Sequence, residues 1–300
     1  MIVVVSATSN TGSAVADSLL AHGHPVRALG RNAERLRTYG DRGAEVAAVP
    51  HGSADELHAG FRGARAAFVM LAPGLIPDST DYAAHQRRTI SALRGALTDT
   101  PGLERVVTLS GWAANYDGAR GPVWGLRRLE EAVDTIPGVA AFHLRAGWFM
   151  ENTLPMIAEI EDTGVSHGLI PADLPLPAIA TEDIGTVAAE ILAGDRTPST
   201  RVLELPGPAD ITLAEVTATI GRHLSDPRAR YERVDAPTMR AGLLTAGFSA
   251  HMADGTVGMT EDVAEGRIRM LRPRDRSTRT RTTFDAFLSR RLGPATGTRR

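Results

Sequence analysis

Three groups of residues in this chain have the types and spacing to do chemistry. The first is Val5-Ser6-Ala7-Thr8-Ser9-Asn10-Thr11-Gly12, which follows the β-branched run Ile2–Val5 and leads into helical spacing at Val15, Leu19 and Leu20. A strand–turn–helix of this kind binds a dinucleotide through three glycines. One makes the tight turn, one lets the backbone approach the pyrophosphate, and one lets helix and strand pack closely. Only the last, Gly12, is present; Ser6 and Ser9 stand at the spacing of the other two. A serine held at positive φ costs on the order of 1 kcal/mol. Ser9 puts a side chain where the pyrophosphate approaches, although its hydroxyl can also donate to a phosphate. The amides and dipole of the following helix remain available to an anion. The expected dinucleotide contacts are therefore Ser6, Thr8, Ser9, Asn10, Thr11 and Gly12. Arg31 and Asn32 join them after the second strand, and Ala72, Pro73 and Ser110 at the ends of later strands. No Asp or Glu follows the second strand to hold a ribose 2′-hydroxyl, so Arg31 favours a 2′-phosphate, hence NADP(H) over NAD. The alternative for Arg31 is a solvated surface arginine.

The second group carries candidate acids, bases and charges. Arg127 can stabilise a developing oxyanion, or it can simply pair with Glu131 one helical turn away. Ser110 and Tyr116 follow the fifth strand, and Glu151 in an apolar setting would have a raised pKa and could act as acid or base; capping a helix is its alternative. The third group is aromatic and soft. Trp112, Tyr116, Trp124, Trp148, Phe149, Met150 and Met156, with Asn152, lie in segments that one fold could gather around a flat hydrophobic, aromatic substrate. Ordinary core packing is the competing role for part of this set.

Composition removes several chemistries. The chain has no cysteine, and all 33 of its basic residues are arginine. Thiolate nucleophiles, Fe–S clusters, Schiff bases and the Tyr-x-x-x-Lys couple of many reductases are excluded. Arginine can hold an anion but is a poor general base. The nine histidines show no metal-ligand spacing, and no metal is expected. His143, within a strand, reads as a core residue. The chain is 43% hydrophobic and 23% charged, has no run long enough to span a membrane, and opens without a signal peptide, so the expectation is a cytoplasmic protein with no membrane association. From Arg267 to Arg300 eleven arginines face only Asp275 and Asp285, on a chain of formal charge −2. A frayed, solvated end explains this better than nucleic-acid binding, because interleaved aromatics and a DNA-binding motif are missing. Oligomeric state is left open.

The elements that must position these groups alternate. Strand signals at Ile2–Val5, Pro25–Leu29, Glu45–Val49, Ala66–Leu71, Arg105–Leu109 and Val139–Leu144 are interleaved with helical signals. Those fall at Thr11–Ala21, Ala33–Tyr39, Asp81–Leu97 (capped near Ser79 or Thr80) and Pro122–Asp134. The fold class is α/β, a Rossmann-like doubly wound parallel sheet with a smaller C-terminal α+β substrate region. Residues 1–150 form the dinucleotide-binding domain, with 181–206 returning to its sheet; 151–180 and 207–290 form the substrate region, and 291–300 a disordered tail. Helices are expected at Leu154–Ile160, Asp183–Leu192, Leu213–Leu224 and Thr238–Leu244. Leu169–Ala180 is expected to be extended.

Residues 1–32 resemble the NmrA-like family, atypical members of the short-chain dehydrogenase/reductase superfamily. Gly23–Leu29 with Arg31-Asn32 follows the family's second-strand pattern. Further matches are Arg145–Asn152, Asp183-Ile184-Gly185, Leu203–Pro208 followed by Thr212–Val216, and a Thr-Thr-Phe ending at Phe284. Together they extend the resemblance over roughly residues 1–288. It implies a Rossmann-type fold, NADP(H), and reductase activity on quinones, enones or aromatic ethers; some members instead sense the cofactor and regulate partners. The chain departs from the family's pattern at Ser6 and Ser9 and at Val49-Pro50, where a Gly-Asp near the adenine is usual. It departs again at Arg127, which aligns with a lysine near the nicotinamide. Three readings follow. The first is an NADPH-dependent reductase of a flat hydrophobic carbonyl, quinone or enone, of a kind suited to secondary metabolism. The second is a cofactor-independent cyclase, isomerase or dehydratase on the same fold, and the third a cofactor-sensing regulator.

Overall fold

The computed structural model describes residues 1–50, 52–71, 76–276 and 278–293. Its centre is a seven-stranded sheet in which every pairing is parallel, with β1 (Ile2–Val4) in the middle. On one side lie β2 (Val26–Gly30) and β3 (Glu45–Ala48). On the other lie β4 (Ala66–Val69), β5 (Arg105–Gly111), β6 (Ala140–Ala146) and β10 (Val202–Leu205). The chain reverses its direction of travel between β1 and β4, which opens a crevice at the C-terminal strand ends. Central strands buried on both faces read as continuous apolar runs; Val3, Val4, Phe68, Val69, Val106 and Val107 are fully buried.

Helices cover both faces. Beneath one face α1 (Asn10–Ala21) and α7 (Thr181–Ala193) contribute Val15, Leu19, Ile184 and Ile191 to a shared core. They pack so tightly that a Cβ on Gly185 would lie 2.5 Å from that of Ala14. On the other face α3 (Ala54–Phe61), α4 (Tyr82–Thr98) and α5 (Leu126–Asp134) bury Leu57, Phe61, Leu93, Leu97 and Leu129. α2 (Ala33–Gly40) follows β2, capped by Asn32.

The smaller region has its own core. It combines β7 (Trp148–Phe149), α6 (Leu154–Thr163), β8 (Val165–Gly168), β9 (Leu176–Ile179), β11 (Ala209–Ile211), α8 (Leu213–Leu224), β12 (Arg230–Arg233), α9 (Ala236–Thr245), α10 (Ala250–Ala264) and α11 (Phe284–Leu292). Ile160, Leu176, Val216, Ile220, Phe287 and Leu288 are its centre. A polar chain fastens it to the sheet. On the sheet side Arg145 forks onto buried Glu130 and also donates to Asn115. Asn115 donates to Glu204 on β10 and to the Arg269 carbonyl, and Glu204 accepts the amides of Leu271 and Arg272. Asp262 on α10, wholly buried, takes bidentate bonds from Arg120 and one from Arg267. Burial pushes its pKa up, but the two guanidinium groups outweigh this and hold it below the ordinary carboxylate range.

The structure departs from the sequence reading in several places. Helix α3 was not anticipated, although Ser53 and Glu56 form a capping box at its start. Helix α10 was also missed, because Gly255 and Gly258 dilute its apolar pattern. Those glycines are needed where it crosses Gly121 and Arg120, which a Cβ would meet at 2.8 and 2.7 Å. Pro122 belongs to a 3₁₀ turn, Gly121–Val123, and α5 begins only at Leu126. The cap of α4 is Asp81, not Ser79 or Thr80. Within Leu169–Ala180 only Leu176–Ile179 is strand. Arg291 and Leu292, placed in the tail by sequence, complete α11, and residues 294–300 lie outside the described residues. Among the described residues no helix is long and apolar enough to cross a membrane.

The turn from β1 to α1 is one of the close backbone approaches of the fold. Ser6 sits at φ +56°, in the left-handed region, and its carbonyl would lie 2.1 Å from a Cβ on Gly12. Ser6→Gly is expected to raise stability by about 1 kcal/mol by removing the left-handed penalty. Gly12→Ala should cost about 3 kcal/mol by forcing backbone against backbone. Urea denaturation of both variants checks the opposite signs.

Candidate functional site: a cationic crevice at the strand ends

A crevice of about 560 Å³ opens beyond the C-terminal ends of β1, β2 and β4. Ser6, Thr8, Ser9, Asn10 and Thr11 form its floor, Arg31 and Arg35 one wall, and His85, Thr89 and Leu93 of α4 the other. Phe149 and Asn152 close the end toward β6. No carboxylate lines it among the described residues.

The floor is shaped by the two serines. Ser6 adopts the left-handed turn that a glycine would supply, and its carbonyl accepts from the Ser9 amide at 2.9 Å. Ser9 is the N-cap of α1, and its hydroxyl accepts from the Gly12 amide at 3.1 Å. That bond satisfies one of the helix's free amides, so the protein itself occupies a donor that an anion would otherwise use. Gly12 lies below the floor and acts through close packing.

Arg31, just before α2, and Arg35, in its first turn, both line the crevice. Arg35 donates to the Thr8 carbonyl at 3.0 Å, which ties the wall to the floor. Arg31 makes no bond to an acidic group among the described residues. Across the gap, burial pushes the pKa of His85 down, and the charges of Arg88 and Arg31 push it further in the same direction. Val49, Leu57 and Leu93 give another part of the crevice an apolar lining, and Val49 is the first residue of the Val49-Pro50 pair.

The structure separates the sequence-predicted residues. Ser6, Thr8, Ser9, Asn10, Thr11, Arg31, Phe149 and Asn152 come together in the crevice. Asn32 does not; its side chain caps α2 by accepting the Arg35 amide at 3.0 Å. Ser110 is buried at the end of β5, its hydroxyl without a protein partner, and it does not line the crevice. Ala72 and Pro73 lie outside the described residues.

The expected acids and charges have structural duties. Glu151 is buried and accepts the Thr181 amide at 3.0 Å and the Thr181 hydroxyl at 2.6 Å. It therefore caps α7 instead of facing a ligand as an acid. Arg127 pairs with Asp117 and, at 3.8 Å, with Glu131, away from the crevice. Tyr116 packs on the core of the smaller region.

Among the described residues the aromatic and methionine set divides between the core of the smaller region, the crevice and the surface of α5. Met150 is a buried member of that same core, and Trp112, Trp148 and Met156 pack against it. Trp124 lies under the guanidinium of Arg128 at 3.9 Å, with Arg87 5.4 Å away. Burial of apolar area wins over lining a cavity for most of this set. Sequence reasoning missed Arg35, His85 and Thr89. The signal was present: His85, Thr89 and Leu93 recur every fourth residue along α4, and Arg35 follows Arg31 by four.

Residues 1–96 match the NmrA-like family. No curated protein sequence matches the chain. Among solved structures, it is similar to an NADPH-dependent quinone oxidoreductase from Escherichia coli crystallised with NADPH. The TM-score is 0.71 at 21% identity, over 99% of this chain and 96% of that one. It is similar to the triphenylmethane reductase of Citrobacter sp. complexed with NADP(H), with TM-score 0.67 and 18% identity over 99% and 96% of the two chains. It is also similar to the negative transcriptional regulator NmrA in complex with NAD, with TM-score 0.62 and 21% identity over 78% and 74%. Beyond the family match to residues 1–96, the chain shares over nearly its whole length the Rossmann-like fold of these proteins.

Proposed function

We propose that the chain binds NADP(H) in the cationic crevice and reduces a flat hydrophobic acceptor, a quinone above the other acceptors. The observation that carries this reading is a crevice at the topological switch point, lined by Arg31 and Arg35 and by no carboxylate among the described residues. That lining suits a ligand with several phosphates and disfavours one that needs its ribose hydroxyl held by an acid. The quinone reductase and the triphenylmethane reductase of the same fold, both crystallised with NADPH or NADP(H), are consistent with it.

A bound nicotinamide dinucleotide supplies a hydride. The chain's own residues position it: Ser6, Thr8 and Ser9 support the phosphates from below, Arg31 and Arg35 hold the 2′-phosphate, and Val49, Leu57 and Leu93 shelter the base from water. Phe149 and Asn152 border the end at which an acceptor would lie. Glu151 and Arg127 are committed to Thr181 and to Asp117 and Glu131, so neither is free to donate a proton. A simple ketone needs an acid as its oxyanion forms. A quinone takes a hydride to give an aromatic phenolate that is stable in water and collects its proton from solvent. The occupied acids therefore favour a quinone.

The same occupied acids support a second reading, a sensor that binds the dinucleotide without turning it over, as the similarity to the regulator NmrA suggests.

Titration with NADPH, followed by its oxidation in the presence of a small naphthoquinone, tests both. Binding with turnover is the expected result. Binding without turnover on any quinone selects the sensor, and no binding at millimolar NADPH ends both. Arg31→Ala should weaken NADPH about 10-fold while leaving NADH within about 2-fold, since only the former carries the 2′-phosphate. Ser9→Gly frees the Gly12 amide for a phosphate oxygen. Calorimetry should show NADPH binding several-fold more tightly, at a cost of only about 0.3 kcal/mol in stability, because glycine is itself a tolerated N-cap.

A further inference from the structure

We infer that His85 is a third cation of the 2′-phosphate site, one that takes up its proton when the phosphate arrives. The inference rests on the NADP(H) reading above and specifies how that site selects its ligand. His85 projects from the second turn of α4 into the crevice that Arg31 and Arg35 also line, and its imidazole is half-buried there. The three side chains come from three separate elements. Arg31 lies in the β2–α2 loop, Arg35 on α2 and His85 on α4, which crosses the opposite face of the sheet. Their meeting at one crevice is a property of the fold.

The groups around His85 are almost all cationic or neutral. From its own helix come Arg88, Thr89 and Tyr82, whose ring centroid is 5.8 Å from the imidazole. Arg31, in the β2–α2 loop, is close enough for its charge to act on the ring, and Arg35 on α2, Asn10 and Thr11 at the start of α1, and Phe149 and Asn152 after β6 line the same crevice. The one nearby carboxylate on α4, Asp81, caps the helix and lies 3.6 Å from Arg87. In the free protein, burial and the two arginine charges therefore hold His85 neutral around pH 7. A phosphate dianion set among Arg31, Arg35 and His85 reverses that balance, because an opposite charge within contact distance favours the protonated ring.

The sign follows from linkage. The pKa of His85 is low in the free protein and higher in the complex, so binding takes up a proton wherever the pH lies between the two values. The contribution of His85 to affinity is present at the acidic end of that window and is lost as pH rises through the bound-state pKa. A ligand with only a pyrophosphate lacks the charge at this position and gains nothing.

Calorimetric titration of the full chain at pH 7.0, in two buffers of different ionisation enthalpy, measures the proton uptake. NADPH is expected to bind with uptake of a fraction of a proton, and NADH without it. His85→Gln should abolish the uptake and weaken NADPH about 5-fold at pH 7.0, with NADH unchanged within about 2-fold. The ratio of wild-type to variant NADPH affinity should rise from about 1 at pH 8.5 to about 10 at pH 6.5. The phosphate's own titration near pH 6 cancels in that ratio. NADPH binding with equal proton uptake in both proteins, or equal uptake with NADPH and NADH on the unaltered chain, overturns the role of His85 and leaves the NADP(H) reading standing. Absence of any dinucleotide binding overturns both.

Discussion

The contact between the Ser6 carbonyl and Gly12 sets the geometry of this molecule. With a would-be Cβ 2.1 Å from that oxygen, only glycine lets α1 start where it does, directly beyond the end of β1. The position of α1 fixes α7, because Ala14 and Gly185 touch with no room for another carbon. Helix α7 in turn donates from its first residue, Thr181, to Glu151, and so holds the turn after β6 that presents Phe149 and Asn152. One close approach is thus transmitted through helix packing to the far end of the crevice. The left-handed conformation of Ser6 belongs to the same constraint: the turn is dictated by where helix and strand must go, and serine adopts it at a local cost.

A chain whose basic residues are all arginine builds its buried ion pairs from that residue. Arg145 on β6 meets Glu130 on α5, and Arg120 after β5 meets Asp262 on α10, through two parallel bonds each. Bidentate geometry of this kind needs a planar guanidinium. The first pair ties a helix to the sheet, and the second ties the post-β5 loop to α10. Among the described residues of the arginine-rich stretch, Arg267 bonds Asp262, Arg274 bonds Asp210 and two backbone carbonyls, and Arg290 reaches Glu182. The composition of this stretch reads as a solvated end, yet it is in large part a strap across the smaller region.

Titratable groups divide between those tied to structural partners and those left to face a ligand. Glu151, Glu130, Glu204 and Asp262 are buried and fully engaged by donors. Arg31 and His85 line the crevice without an acidic partner among the described residues, and burial, followed by the charges of Arg88 and Arg31, depresses the imidazole. An unneutralised set of cations in a concave site is unfavourable for the free protein, and an incoming anion relieves it.

Local patterning in the chain encodes the alternation of buried strands and amphipathic helices, the place of the first turn and the arginine after the second strand. These are encoded locally: Ile2–Val4 is apolar because both faces are covered, Val15 and Leu19 recur with the helical period, and Ser9 lies where a helix must be capped. Only the tertiary structure decided which side chains the crevice receives. Trp112, Trp148 and Met150 went to the core of the smaller region because it had apolar area to bury, and Glu151 went to α7 because a helix start needed an acceptor. His85, 54 residues after Arg31, met it across the sheet. Such pairings depend on how distant elements cross, and spacing along one chain carries no record of that angle.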